Sequence, residues 1–410
     1  MKIVYCHQYF KTPSMSGGTR SYEMARRLVA KGHEVHVVTS WQGETAKESW
    51  FEEKVDGIHV HWLPVPYSND MTYAQRIKAF FRFAMLSGSR AVAIGGDVVF
   101  ATSTPLTIAI PGVRAAKKLK VPMVFEVRDL WPELPIAMGA LQSPFTIYLA
   151  RKLERFAYRN SSRIIALSPG MADGVVKTGY PRDKVTEIPN SSDVALFGPE
   201  NRVREEGFFA SLLKKTCKRV VLYPGTLGHI NDVRYLVDLA AQVGGSGGDV
   251  DFVVIGDGVE KGKIKQRAKE LGVWGVNFHM FAGMPKTRLV SAFAEADMIA
   301  SLFLPLKEME PNSANKFFDA LASATPVMIN YGGWQKAIIE EQGCGLVLNR
   351  DLESSSKSLV AFLNDAEALE SASEAAYGLA SERFSRDRLA EQFEQVLVDA
   401  VAEFEKDEVS

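Results

Sequence analysis

Short apolar runs rich in β-branched residues alternate along the chain with longer stretches in which apolar residues recur every three or four positions. That order is the one βαβ units and parallel sheets produce. Residues 2–6, 34–39, 58–62, 98–102, 122–127, 163–167 and 185–188 predict strands, and residues 21–31, 73–92, 106–119, 145–158 and 170–178 predict the helices between them. The alternation stops where turn formers cluster, at Pro189-Asn190-Ser191-Ser192-Asp193 and Phe197-Gly198-Pro199-Glu200. It restarts with strands at 219–223, 251–255, 276–279, 298–302 and 326–329, again interleaved with helices. The expectation is an α/β protein of two doubly wound domains, 1–195 and 196–384. From about residue 354 there is no strand signal, and residues 385–404 have the apolar spacing of a long amphipathic helix. The segment 385–410 is therefore expected to pack back on the first domain. Gly244-Gly245-Ser246-Gly247-Gly248 reads as a flexible turn.

Composition narrows the classes without changing that outline. The chain has 410 residues, 46% hydrophobic and 24% charged, which excludes a disordered or fibrous chain. Its longest apolar runs, such as 98–101 and 298–304, fall far short of the roughly 20 residues of a spanning helix. The N-terminus lacks the apolar region and cleavage site of a signal peptide. Three widely spaced cysteines, Cys6, Cys217 and Cys344, fit a reducing cytoplasm and no disulfide framework. The net charge of −1 conceals an asymmetry: residues 1–200 carry 25 basic and 18 acidic side chains, and the second half is acidic in excess. Only the first half is suited to an anionic partner. Within it, residues 73–85 mix three basic residues with three phenylalanines in a helical segment, which fits either a helix on an anionic membrane surface or a core helix with a solvated basic face. The charge excess favours the membrane.

Candidate chemistry gathers after strands. Ser16-Gly17-Gly18-Thr19-Arg20 lies just ahead of the first helix, where unpaired N–H groups and the positive dipole end favour an anion. The second domain repeats the arrangement in Pro224-Gly225-Thr226-Leu227-Gly228-His229 after its own first strand. Two facing doubly wound domains with such loops would enclose a phosphorylated ligand beyond the carboxyl ends of their strands. The densest polar group is Asn312-Ser313-Ala314-Asn315-Lys316-Phe317-Phe318-Asp319. Ser313 or Asn315 could cap a helix there. Lys316 near a helix N-terminus makes sense with a phosphate between them, and Asp319 could accept bonds from ribose hydroxyls; an ordinary ion pair between Lys316 and Asp319 is the plainer alternative. In the first domain, the strand ending at 127 runs into Arg128 and Asp129, which could face a diphosphate and orient or deprotonate a hydroxyl, or simply bridge to each other.

Other motifs are weaker. Gly256-Asp257-Gly258-Val259-Glu260-Lys261 has a lysine where a dinucleotide fingerprint needs a small residue. Asp249-Val250-Asp251 has a metal-binding spacing but precedes its strand, and reads as a solvated strand entrance. The seven histidines form no metal set and are read as packing, with His229, after the second glycine loop, as the exception. Nucleic-acid binding has no support from charge or motif.

In this order the motifs resemble the retaining glycosyltransferases of family 4, which have the GT-B fold of two Rossmann-like domains facing across a cleft. The likeness takes in Gly17-Gly18, the segment 28–35, Val185 to Asp193, Gly256-Asp257-Gly258 and Asp319-Ala320-Leu321-Ala322 through Pro326-Val327. Arg128-Asp129-Leu130-Trp131-Pro132 and Asn315-Lys316-Phe317-Phe318-Asp319 look most like the branch of the WbuB-type enzymes, which are similar to transferases adding amino- or deoxyhexoses to lipid-linked O-antigen and capsule precursors. The resemblance implies a nucleotide-diphosphate sugar donor, by family habit UDP-linked, and a saccharide or polyprenyl-diphosphate-linked acceptor at the cytoplasmic face of the membrane. It implies no cofactor and no metal. Donor binding would fall to Gly17, Gly18, Thr19, Gly225, Thr226, Gly228, Asn315, Lys316 and Asp319, and catalysis to Asp129, Arg128 and Lys316, with the domains closing on the donor. The sequence departs from the family where its paired glutamates would fall, at Pro311 and Asp319, and where basic residues would fall, near Thr226 and Asn231. Glu308 or Glu310 is the candidate substitute for holding the donor sugar. A nucleotide-sugar 2-epimerase of the same fold and a non-catalytic nucleotide-sugar-binding protein are the alternatives.

Overall fold

A computed structural model describes residues 1–409 except 16, 44, 67–70, 104, 202–206 and 215–218, together with the side chains of all of these but 73, 201 and 407–409. Ser16 and Cys217 thus lie outside the described residues. The chain forms two compact units, Met1–Pro189 with Asp387–Ser410, and Asn190–Arg386. The first unit ends ahead of the boundary expected at 195.

The first unit contains β1 (Lys2–Cys6), α1 (Arg20–Ala30), β2 (Glu34–Trp41), β3 (Phe51–Val55), β4 (Ile58–Pro64), α2 (Tyr73–Ile94), β5 (Val98–Thr102), α3 (Ala109–Leu119), β6 (Met123–Val127), α4 (Glu133–Ala137), α5 (Pro144–Arg159), β7 (Arg163–Ala166), α6 (Pro169–Lys177) and β8 (Val185–Glu187). Its eight strands are ordered β3-β4-β2-β1-β5-β6-β7-β8, all parallel except β3. The unforeseen β3 pairs antiparallel with β4 through Asp56 and Gly57, both at positive φ. Such a two-residue turn matches the twist of a hairpin.

The second unit contains α7 (Val194–Phe197), α8 (Phe208–Leu213), β9 (Val220–Pro224), α9 (Val233–Gly245), β10 (Asp251–Ile255), α10 (Lys261–Glu270), β11 (Phe278–Phe281), α11 (Lys286–Glu295), β12 (Met298–Ser301), α12 (Asn315–Ala322), β13 (Val327–Ile329), α13 (Trp334–Gln342), β14 (Gly345–Val347), α14 (Leu352–Asn364) and α15 (Ala366–Glu382). Its sheet is wholly parallel, ordered β11-β10-β9-β12-β13-β14. This is the doubly wound order whose direction reverses between the first and fourth strands, and ligands bind beyond the strand ends at that reversal. In both units the first strand, β1 or β9, lies at it. Two expectations shift: β11 begins two residues late because Val276 is exposed in a turn, and Gly244-Gly245 forms the last turn of α9 instead of a free loop.

The last helix, α16 (Arg386–Val409), belongs almost wholly to the first unit. Its buried Leu389, Phe393, Val396, Leu397 and Ala400 share a core with Tyr5, Phe100 and Val124. Phe393 meets the Phe100 ring edge-on at 4.8 Å. No helix among the described residues is long and apolar enough to cross a membrane.

Candidate active site

In the second unit the loop after β9 is built against the loop after β10. Gly225 N–H donates to Ile255 O at 2.9 Å and Leu227 N–H to Asp257 O at 2.9 Å, which prolongs the strand pairing beyond the sheet. The approach is close enough that a Cβ on Gly256 would lie 1.8 Å from Gly225 O. Gly256 and Gly258 are therefore packing glycines, which accounts for a fingerprint that is incomplete for a dinucleotide. Gly225, at φ +133°, and Thr226 are exposed, while Gly228 N–H is taken by Asn231 Oδ1 at 3.2 Å.

Lys316, in the first turn of α12, reaches this loop. Its Nζ donates to Tyr223 Oη at 2.8 Å, lies 4.0 Å from the centre of the Tyr223 ring and 5.9 Å from that of Phe303, and would be 3.7 Å from a Cβ on Gly225. Among the described residues no carboxylate pairs with it, and burial of the amine pushes it down to about 7. The α12 start is not capped as expected. Ser313 Oγ accepts from Asn190 N–H at 3.0 Å, Asn315 is exposed, and Ala314 occupies the cap, its N–H held by Asn312 Oδ1 at 3.2 Å. The first-turn N–H groups of Asn315 and Lys316 are ones no helix satisfies internally. A lysine amine, a helix N-terminus and a glycine loop thus meet at the carboxyl ends of β9 and β12, an arrangement suited to an anion.

Asp319 points elsewhere. It is buried, accepts from Lys286 Nζ at 3.1 Å, and shares that lysine with Asp193, which in turn holds Arg386 at 2.6 Å. Burial raises its carboxyl, with Lys286 and Arg386 opposing. The structure corrects the ion-pair alternative: Lys316 and Asp319 are not partners, Asp319 bonding Lys286 and Lys316 bonding Tyr223. Glu310 lies over Gly332 and Gly333, whose lack of a Cβ lets it approach; a Cβ on Gly333 would be 2.4 Å from Glu310 O. Asn330, after β13, bridges Phe303 N–H at 2.9 Å and Asp232 at 3.2 Å, a polar link that β13's apolar sequence did not signal.

In the first unit the loop Gly17-Gly18-Thr19 is open to solvent at its glycines, and Gly17, at φ +133°, lies against the stem of Lys11. Arg20 turns inward: it pairs with the fully buried Glu126 at 2.9 Å and donates to the carbonyls of Ile188 and Pro189. Its role is to fasten α1 to β6 and β8. Arg128 N–H donates to Ser103 Oγ at 2.8 Å, and its Nη1 stands 3.5 Å from His7 Nε2. Asp129 follows at the same strand end, half-exposed. His7, at the end of β1, is 3% exposed and the neighbouring Gln8 1% exposed; among the described residues His7 Nδ1 and both side-chain amide atoms of Gln8 have no hydrogen-bond partner. Burial, reinforced by Arg128 and Lys11, holds the His7 imidazole well below its ordinary range, so it is neutral near pH 7.

His7, read from the sequence as packing, is buried as that reading expects and lies beside Arg128. The favoured His229 is exposed, 4.0 Å from Glu260. Asp251 is corrected: it is buried and bonded to His279 at 3.0 Å, because the neighbouring strand β11 places an imidazole beside it.

Glycosyl transferase 4-like domains match residues 17–191, and the glycosyl transferases group 1 family matches residues 204–379. Comparison with curated proteins gives no match. Among solved structures, the sucrose-phosphate synthase of Thermosynechococcus elongatus is similar with a TM-score of 0.79 at 14% identity, over 98% of this chain and 99% of that one. Anabaena HepE, solved with UDP and glucose, has a TM-score of 0.71 at 16% identity over 97% and 100%. WaaG, a glycosyltransferase involved in lipopolysaccharide biosynthesis, has 0.69 at 16% over 96% and 99%. The solved structures give the fold and the two family matches give the activity class. The chain is a glycosyltransferase of the GT-B fold, a glycosyl transferase 4-like domain followed by a glycosyl transferases group 1 domain.

Proposed function

We propose that the protein moves a hexose, or an amino- or deoxyhexose, from a UDP-sugar to a saccharide or lipid-linked saccharide hydroxyl in surface polysaccharide synthesis, with retention and without a metal. The observation that carries the donor half is Lys316, a half-buried lysine that no carboxylate among the described residues pairs with, set beside Gly225 and the α12 N-terminus. A diphosphate there would restore its proton and take up its charge. UDP is carried over from the neighbours solved with it, among them HepE with UDP-glucose.

In the reaction the C1–O bond to the diphosphate breaks while an acceptor oxygen bonds C1 from the same face. The acceptor proton passes to the departing diphosphate. Lys316 and the helix N-terminus stabilise the charge that develops on the leaving group. Arg128 and Asp129 are assigned to the acceptor side, where Asp129 orients the attacking hydroxyl. The lipid-linked acceptor places the enzyme at the cytoplasmic face of a membrane.

Thermal shifts with UDP, GDP, dTDP, CDP and NAD, each with and without EDTA, test the reading. The expected result is stabilisation by UDP, indifferent to EDTA and lost in Lys316→Ala. A shift confined to NAD, or one abolished by EDTA, overturns it. Incubation with the donor alone separates transfer from epimerisation, since an epimerase changes the sugar without an acceptor.

A further inference from the structure

Of the eleven large hydrophobic side chains exposed among the described residues, eight lie on two helices of the first unit, α2 and α5. On α2, Ile77, Phe81 and Met85 recur every fourth residue and so form one line. On α5, Phe145 and Tyr148 are 67% and 61% exposed, with Leu149 beside them. Both helices pack against α3 and the turn Leu106–Ile108, and so flank the same support. The three phenylalanines of the basic segment are divided by this packing: Phe83 is fully buried, Phe80 half-buried and Phe81 exposed.

The charge on these helices has one sign. Helix α2 carries no Asp or Glu, and the single acid of α5, Glu154, is buried. Lys78 and Arg82 on α2, and Arg151, Lys152, Arg155 and Arg159 on α5, are exposed. Exposed aromatic and aliphatic side chains bordered by long cationic ones match the chemistry of a bilayer interface, where the rings enter the headgroup region and the cations meet anionic lipid.

The face also adjoins the loops assigned to the acceptor. Phe80 of α2 meets Tyr9, in the loop after β1, edge-on at 6.3 Å. Arg151 of α5 donates to Glu133 at 3.2 Å, and Glu133 opens α4 directly after the Arg128–Trp131 segment.

We propose that α2 and α5 together form a docking face for an anionic lipid bilayer, which seats the first unit so that a membrane-anchored acceptor presents its sugar to the loops after β1 and β6. The acceptor clause rests on the transferase reading; the docking does not.

The full-length protein is sedimented with phosphatidylcholine vesicles, with and without phosphatidylglycerol. The expected result is binding to the anionic vesicles alone, weakened by salt. It falls about ten-fold or more in Phe145→Ser/Tyr148→Ser and in Lys152→Glu/Arg155→Glu. Melting temperature checks that each variant is folded, and Phe81→Ser with Met85→Ser replaces any that is not. Absence of vesicle binding, or binding the folded variants retain, overturns the proposal, as does a dimer in light scattering that the same substitutions dissolve. Turnover with a soluble saccharide acceptor is expected to be unchanged in these variants. If the wild type binds vesicles but transfers to no acceptor, the transferase reading fails and the docking face stands.

Discussion

Lys316 shows how a side chain can be poorly placed for stability and well placed for binding. Its amine, pushed down to about 7, is protonated in the unfolded chain up to about 10.5. Between those values the unfolded state binds more protons, so this group's destabilising effect fades as pH rises from 7 toward 10.5 and is fully present below 7. Lys316→Met is expected to stabilise the ligand-free protein at neutral pH by about 1 kcal/mol or more, raising its melting temperature, while abolishing nucleotide binding. Calorimetry and UDP titration on the same sample check both. A bound diphosphate raises the amine's pKa, so UDP affinity is expected to be level below pH 7 and to fall up to about ten-fold per unit above it. Loss of affinity on acidification would contradict this. The sequence showed that Lys316 opens a helix, since the turn formers before it are local signals. That Asp319 joins Lys286, Asp193 and Arg386 was not legible, because those partners come from separate segments.

At the scale of elements, local chemistry predicted most helices and strands, and two misses are instructive. The β3 and β4 hairpin announces itself in Val55-Asp56-Gly57-Ile58, the sequence of a tight turn, but β3 has an exposed central stretch and lacks the apolar run used to recognise strands. Strand β14 is three residues long and exists because Gly345 lets the chain approach β13, where a Cβ would lie 1.9 Å from Val327 O. The glycine loops obey the same rule. Gly256→Ala drives a methyl into the Gly225 carbonyl and must part the loops after β9 and β10. We expect a loss of at least about 2 kcal/mol and of UDP binding. A folded Gly256→Ala protein with normal affinity would show that the loop contact is dispensable.

For the molecule as a whole, α16 makes the first unit discontinuous in sequence: its sheet is complete at β8, yet part of its core arrives from beyond residue 386. Phe393→Ala leaves a void against Tyr5 and Phe100, with an expected cost of about 3–5 kcal/mol by denaturant unfolding. A near-neutral result would mean that α16 is peripheral to that core. By itself the sequence determined the alternation of strand and helix, the doubly wound class and the residues at each strand's carboxyl end, because periodicity and turn chemistry act over a few neighbouring positions. Tertiary structure alone decided which of those residues come together. It put Arg20 inside against Glu126, buried His7 beside Arg128, and set Lys316 on Tyr223. It also collected the exposed apolar side chains of α2 and α5 around α3. Each of these joins residues far apart in the chain, and whether a side chain is buried, paired or exposed depends on what the fold brings against it.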